Sequence, residues 1–128
     1  MLDHTGFAVS DFRKSKAFYA AALQPLGITL LAEVTAEQSG GGAHAGFGAA
    51  NKAFFWIGDH GRACTGVHIA FTAKTRAQVD SFYEAALKAG AKDNGAPGPR
   101  PHYHENYYGA FVLDPDGNNI EAVCHKGA

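Results

Sequence analysis

Residues 3–23 and 67–87 are two versions of one segment. Laid over each other without a gap, they pair His4 with His68, Phe7 with Phe71, Phe18 with Phe82, Tyr19 with Tyr83, Ala21 with Ala85, Ala22 with Ala86 and Leu23 with Leu87. Each pair is separated by 68 − 4 = 64 positions, half of the 128-residue length. Background composition gives about one or two such identities in a window of this size. Duplication is the economical explanation, and it constrains the fold: what one half forms the other must form too, and neither half is large enough to bury its apolar face alone.

The first part of each copy reads as a strand followed by a helix. HTGFAV and HIAFTA alternate, so His4, Gly6 and Ala8 lie on one face with Phe7 and Val9 on the other, and His68 and Ala70 are likewise opposed to Ile69 and Phe71. SKAFYAAAL and VDSFYEAAL then place Phe18 with Ala22, and Phe82 with Ala86, at helical spacing, with Gly27 and Gly90 as terminators. Three strands complete the first half, at 28–34, 43–48 and 53–58, interrupted by the flexible SGGG at 39–42. In the second half, strands at 108–113 and 119–124 flank Asp114-Pro115-Asp116-Gly117, a turn with Pro to preset φ and Gly to accept a positive one. Residues 93–101 carry three Pro and two Gly and are expected to be loop at least in part. The fold expected is α+β: two paired βαβββ modules forming a curved mixed-sheet trough with helices on the outside, one domain over 1–128 with repeats 1–60 and 65–128. The helices press on the Phe7 and Phe71 sides, so His4 and His68 look into the trough.

Composition narrows the function. With 46% hydrophobic and 18% charged residues the chain can build a core and is not disordered. Eleven Lys and Arg against 12 Asp and Glu provide no field for nucleic acid or an anionic membrane, and no stretch is apolar for the length of a span. Cys64 and Cys124 form no C-x-x-C pair and are no disulfide framework. The first residues include Asp3 and His4 and build no signal-peptide core, so a cytoplasmic protein is expected.

A lone histidine on a strand face is more often a packing residue than a ligand. Two at equivalent positions of a duplicated unit are brought to symmetric points of one trough, and Glu121 adds a carboxylate within the apolar run Ile120, Ala122, Val123, where charge needs a compensating cation or donor. His4, His68 and Glu121 are therefore the candidate ligands of one divalent ion, Fe, Zn, Mn, Ni or Co. By the constant offset, 121 − 64 = 57, the repeat mate of Glu121 is Ile57, an apolar fourth corner that leaves coordination positions to water and substrate.

These features resemble the vicinal oxygen chelate superfamily, which holds glyoxalase I, the bleomycin and fosfomycin resistance proteins and the extradiol dioxygenases. The resemblance covers nearly the whole chain and rests on the strand-opening His of each half, the FY-x-A-A-L helices and the closing DPDGNNIE hairpin. It implies paired βαβββ modules, metal ligation by His4, His68 and Glu121, and a homodimer. The chain departs from glyoxalase I at Ile57, where that enzyme usually has a fourth ligand. It is similar to the extradiol dioxygenases in His104, Asp114, Pro115, Gly117 and Glu121, but Phe111 stands where they usually carry a catalytic Tyr.

The segment RPHYHENYY at 100–108 is either a polar surface loop or a cap over the trough. As a cap it offers His104 or His102 as acid/base and Tyr108 or Tyr107 as donor to an oxyanion, while Arg100 could clamp a substrate carboxylate or phosphate. Arg100, Phe55, Ile57, Tyr107 and Phe111 are the expected substrate contacts. His44, His60 and His125 read as solvated. The function expected is a divalent-metal-dependent enzyme acting on a small molecule chelated through neighbouring oxygens; the alternative is a small-molecule binding protein of the drug-sequestering kind, without catalysis.

Overall fold

The computed structural model describes residues 1–128. In the first half, strand β1 (Thr5–Ala8) leads into helix α1 (Phe12–Leu23), a 3-10 turn at Gln24–Leu26 and strand β2 (Thr29–Val34). A short helix, α2 (Ala36–Ser39), precedes strands β3 (His44–Ala49) and β4 (Lys52–Gly58). The second half repeats the order with β5 (His68–Thr72), α3 (Arg76–Lys88), β6 (Lys92–Pro99), β7 (Tyr108–Leu113) and β8 (Asn119–Cys124). The sheets have the same topology, β1-β4-β3-β2 and β5-β8-β7-β6, each with one parallel and two antiparallel pairs. These are the paired βαβββ modules the sequence leads one to expect. The sheets share no ladder hydrogen bonds, however, and β1 and β5 both stand as edge strands. No helix is long and apolar enough to cross a membrane.

Local chemistry sets the helices. Asp11 caps α1 by accepting from the Lys14 amide (3.1 Å), and Thr75 caps α3 by accepting from Gln78 (3.1 Å). Their apolar stripes, Phe18, Tyr19, Ala22 and Leu23 on α1 and Val79, Phe82 and Ala86 on α3, are fully buried, and the two helices pack on each other. One core runs through both halves, with the Phe55 ring edge-on to Tyr19 at 4.9 Å and to Phe71 at 5.3 Å. Of residues 93–101, expected to be loop at least in part, 93–99 belong to the edge strand β6, with register shifts against β7 on both sides of Gly95. An edge strand accommodates Pro97 and Pro99 because one row of its N–H groups has no ladder partner to serve.

The Asp114–Asn118 turn does more than reverse the chain. The buried Asp114 carboxylate accepts from the Tyr19 hydroxyl of α1, from the amides of Asp116 (2.9 Å) and Asn118 (2.8 Å) and from the Asn118 side chain (3.1 Å). Asn118 also donates to the Cys64 carbonyl (3.1 Å) and accepts from the Val67 amide (3.0 Å), both in the connection between the halves. Asp116 accepts from the amide and hydroxyl of Ser10. The closing hairpin of the second module is thus fastened to the first module and to the connection.

Burial first, and then the Asp114 carboxylate, push the Tyr19 phenol far above its ordinary value. An unfolded tyrosine ionises near about pH 10, whereas the folded one keeps its proton, so this contribution to stability is complete below about pH 10 and falls as pH rises beyond it. Tyr19→Phe should lower stability by about 1–3 kcal/mol at neutral pH and make the decline above about pH 10 shallower, as read from urea denaturation across that range.

Candidate functional site

Register decides which side chains share a face. On the second sheet His68 pairs with Asn119, Ala70 with Glu121, and Glu121 with Phe111, which places His68, Glu121 and Phe111 on the face away from α3. His68 Nε2 lies 3.1 Å from Glu121 Oε1, and the imidazole stacks on the Phe111 ring at 6.3 Å. Glu121 is 1% exposed, while half of the His68 side chain is open to solvent. The other carboxylate oxygen of Glu121 accepts from the Tyr107 hydroxyl. Burial, reinforced by that carboxylate, pushes the Tyr107 phenol well above its ordinary range, so it stays a donor.

His68 and Glu121 have the donor types of a metal ligand pair. His68 Nδ1 lies 3.0 Å from the Asn119 carbonyl, which only accepts, so the ring proton sits on Nδ1. Nε2 then faces the Glu121 carboxylate at 3.1 Å, a contact that either a proton on Nε2 or a cation held between the two groups satisfies. A ligating histidine whose second nitrogen donates to a main-chain carbonyl has this pattern. His68 and Glu121 therefore fit a metal as two donors of a larger set.

The remaining expected residues are distributed as follows. His4 is exposed on the first sheet, hydrogen-bonded to Asp3 at 2.7 Å. His4 and His68 line one cavity of about 590 Å³ between β1 and β5, together with Phe54 and Phe71. No three His, Cys, Asp or Glu side chains within the protomer could hold an ion together. Phe55 and Ile57 are buried on the helix side. The structural mate of Glu121 is not Ile57: Thr5 pairs with Phe55 and its repeat mate Ile69 with Ile120, so the offset in these last strands is 65 and Glu121 corresponds to Trp56. Tyr108 is also turned to the helix side, donating to Asp80 of α3 (2.7 Å) beneath the Arg76 guanidinium. Arg100 lies over Phe111, but its two terminal nitrogens donate to the Gly98 and Ala96 carbonyls (both 2.9 Å), so the fork expected for substrate holds the loop instead. His102 packs on Tyr103 at 4.3 Å; His104 meets His125 at 5.5 Å, and His125 meets the Tyr107 ring at 5.2 Å.

Four contributors escape a reading of the sequence. Asn119 orients His68, and His125 joins the loop cluster. Gly109 leaves room for the Glu121–Tyr107 pair: a Cβ there would lie 3.1 Å from both Glu121 Oε2 and Tyr107 Cε1. Trp56 takes the position facing Glu121 across the pseudosymmetry.

The sequence model described as the glyoxalase/bleomycin resistance protein/dioxygenase superfamily matches residues 1–122. Among solved structures, a glyoxalase/bleomycin resistance protein from Albidiferax ferrireducens is 28% identical with a TM-score of 0.79, over 94% of this chain and 96% of that one. The E144Q mutant of glyoxalase I from Zea mays is 23% identical with a TM-score of 0.73, over 95% of this chain and 46% of that one. Lactoylglutathione lyase from Agrobacterium tumefaciens is 18% identical with a TM-score of 0.64, over 97% and 92%. These last two likenesses concern the fold. No curated protein matches the chain in sequence.

Gly109→Ala should push Tyr107 away from Glu121 and destabilise the protein by about 1–3 kcal/mol, measured by thermal or urea unfolding. Tyr107→Phe, which removes the donor without adding volume, should destabilise it through the unsatisfied carboxylate oxygen.

Proposed function

The chain belongs to the glyoxalase/bleomycin resistance protein/dioxygenase superfamily, and from that premise we propose that it is a divalent-metal-dependent enzyme whose small-molecule substrate presents neighbouring oxygens. The observation that carries this reading is the buried Glu121 carboxylate set against a His68 nitrogen whose ring proton is held on the other side by Asn119. His68 and Glu121 would hold the ion together with a third donor, His4. A bound divalent ion would supply Lewis-acid polarisation of a substrate oxygen.

His4 reaches this set from a second copy of the chain. Within one protomer, closing the distance between the sheets would require breaking the buried Tyr19–Asp114 bond and the Asn118 contacts that lock the modules together. The open edges of β1 and β5 give a second copy somewhere to pair, and a twofold arrangement would build two such sites at once. The remaining residues have separable tasks. Tyr107 fixes the orientation of Glu121, Asn119 that of His68, and Phe111 forms an apolar wall beside the imidazole. His104 and His125, at the solvent side of Tyr107, are positioned to exchange protons with bulk water.

Metal analysis of protein purified without chelator tests the reading. About one ion per chain is expected, with His68→Ala and Glu121→Ala losing it and His4→Ala weakening it by about tenfold or more. Light scattering should give a dimer. Metal-free protein from cells supplied with these metals, still folded by circular dichroism, would overturn the proposal and favour a sequestering protein.

A further inference from the structure

The corresponding face of the first sheet has no acidic ligand. It is built around the one tryptophan of the chain. Trp56 is flanked in register by Gly6 on β1 and Gly46 on β3, where the second sheet has Ala70 and Phe111 around Glu121. A Cβ built on Gly46 would lie 2.8, 2.8 and 2.9 Å from Cη2, Cζ2 and Cε2 of the indole. Near-equal distances to three consecutive ring atoms put that point close to the ring axis, so the indole lies flat on the sheet with Gly46 beneath it. The half-buried ring borders an open cavity of about 390 Å³ that is also lined by His4, His44 and His60. His44 and Gly58 pair in register, which sets His44 on the same face as Trp56.

We infer that this cavity seats a planar aromatic ring carrying an anionic oxygen substituent, with Trp56 as the stacking platform. The indole fixes the shape of the guest, because an unobstructed aromatic face rewards another flat ring. The rim fixes its polarity. His44 and His60 can each present an N–H, whereas His4 is paired with Asp3 (2.7 Å); Asp3 also meets Lys52 (2.7 Å), and one oxygen of Asp59 accepts from the Ala43 amide (2.7 Å). A guest that brings acceptor oxygens is matched to these donors. The size suits one or two fused rings. This inference deepens the function proposed above by giving the class of substrate; it rests on that reading only in treating the seated ring as the reacting molecule.

Trp56 is the sole indole fluorophore, so binding is read directly. Benzoate and salicylate should quench its emission in chelator-treated protein, whereas cyclohexanecarboxylate, of equal charge but not planar, should not. In equilibrium dialysis, Trp56→Leu should weaken benzoate binding by about tenfold or more and Trp56→Phe by no more than about threefold. Gly46→Ala, which lifts the indole, should shift its emission and weaken binding in parallel. Equal binding of cyclohexanecarboxylate, or benzoate affinity unchanged in Trp56→Leu, would overturn the inference. Metal content measured on the same samples keeps the two readings apart: a metal-free protein that still takes benzoate through Trp56 removes the enzymatic proposal alone, and a metal-loaded protein indifferent to flat rings removes the ring seat alone.

Discussion

The buried Asp114 carboxylate is what the arrangement of the two modules depends on. A charge with almost no solvent access is tolerated only if donors surround it, and here they come from three places: the Tyr19 hydroxyl of the first module, the amides of its own turn and the Asn118 side chain, which also grips the connection at Cys64 and Val67. Removing any one would leave the others paired but strain the rest. The consequence reaches the site. With the modules locked through α1 and the closing turn, His4 and His68 are both held at the wall of one cavity.

The repeat made much of this fold legible. Strands at 108–113 and 119–124, both helices and the face of β5 that carries His68 follow from alternation and helical spacing, because period two and period 3.6 are enforced by burial on one side. What failed did so for physical reasons. The Pro and Gly content of 93–101 points to loop at least in part, yet 93–99 run in β6, because an edge strand can carry proline where a central one cannot. Tyr107 and Tyr108 are adjacent in a strand entrance and so point to opposite faces; composition alone could not say which of them met Glu121 and which met Asp80. Arg100 was legible as a fork, but whether a fork meets a ligand or nearby carbonyls depends on the bulges of β6.

The fourth corner teaches the same lesson at higher resolution. A gapless offset taken from the first strand and helix gives Ile57 as the partner of Glu121, whereas the β1–β4 and β5–β8 ladders give Trp56. A slip of one residue exchanges a buried aliphatic side chain for an aromatic plate on the opposite face, because side chains alternate along a strand. The pseudosymmetry is therefore intact in the backbone and broken in the chemistry: a face built on a buried carboxylate on one module and a face built on a flat indole on the other. In the proposed twofold pair each copy would set one kind of face against the other kind of its partner.

The irregularities of the outer strands limit how such an assembly can grow. β2 shifts register between Leu30 and Ala32, and β6 does so twice while carrying two prolines. Bulges twist a border away from flatness and prolines withhold donors, so neither outer border is a template for a further strand. The borders left are β1 and β5; in the proposed twofold pair they would be used on each other, and a ribbon would have no free end from which to propagate.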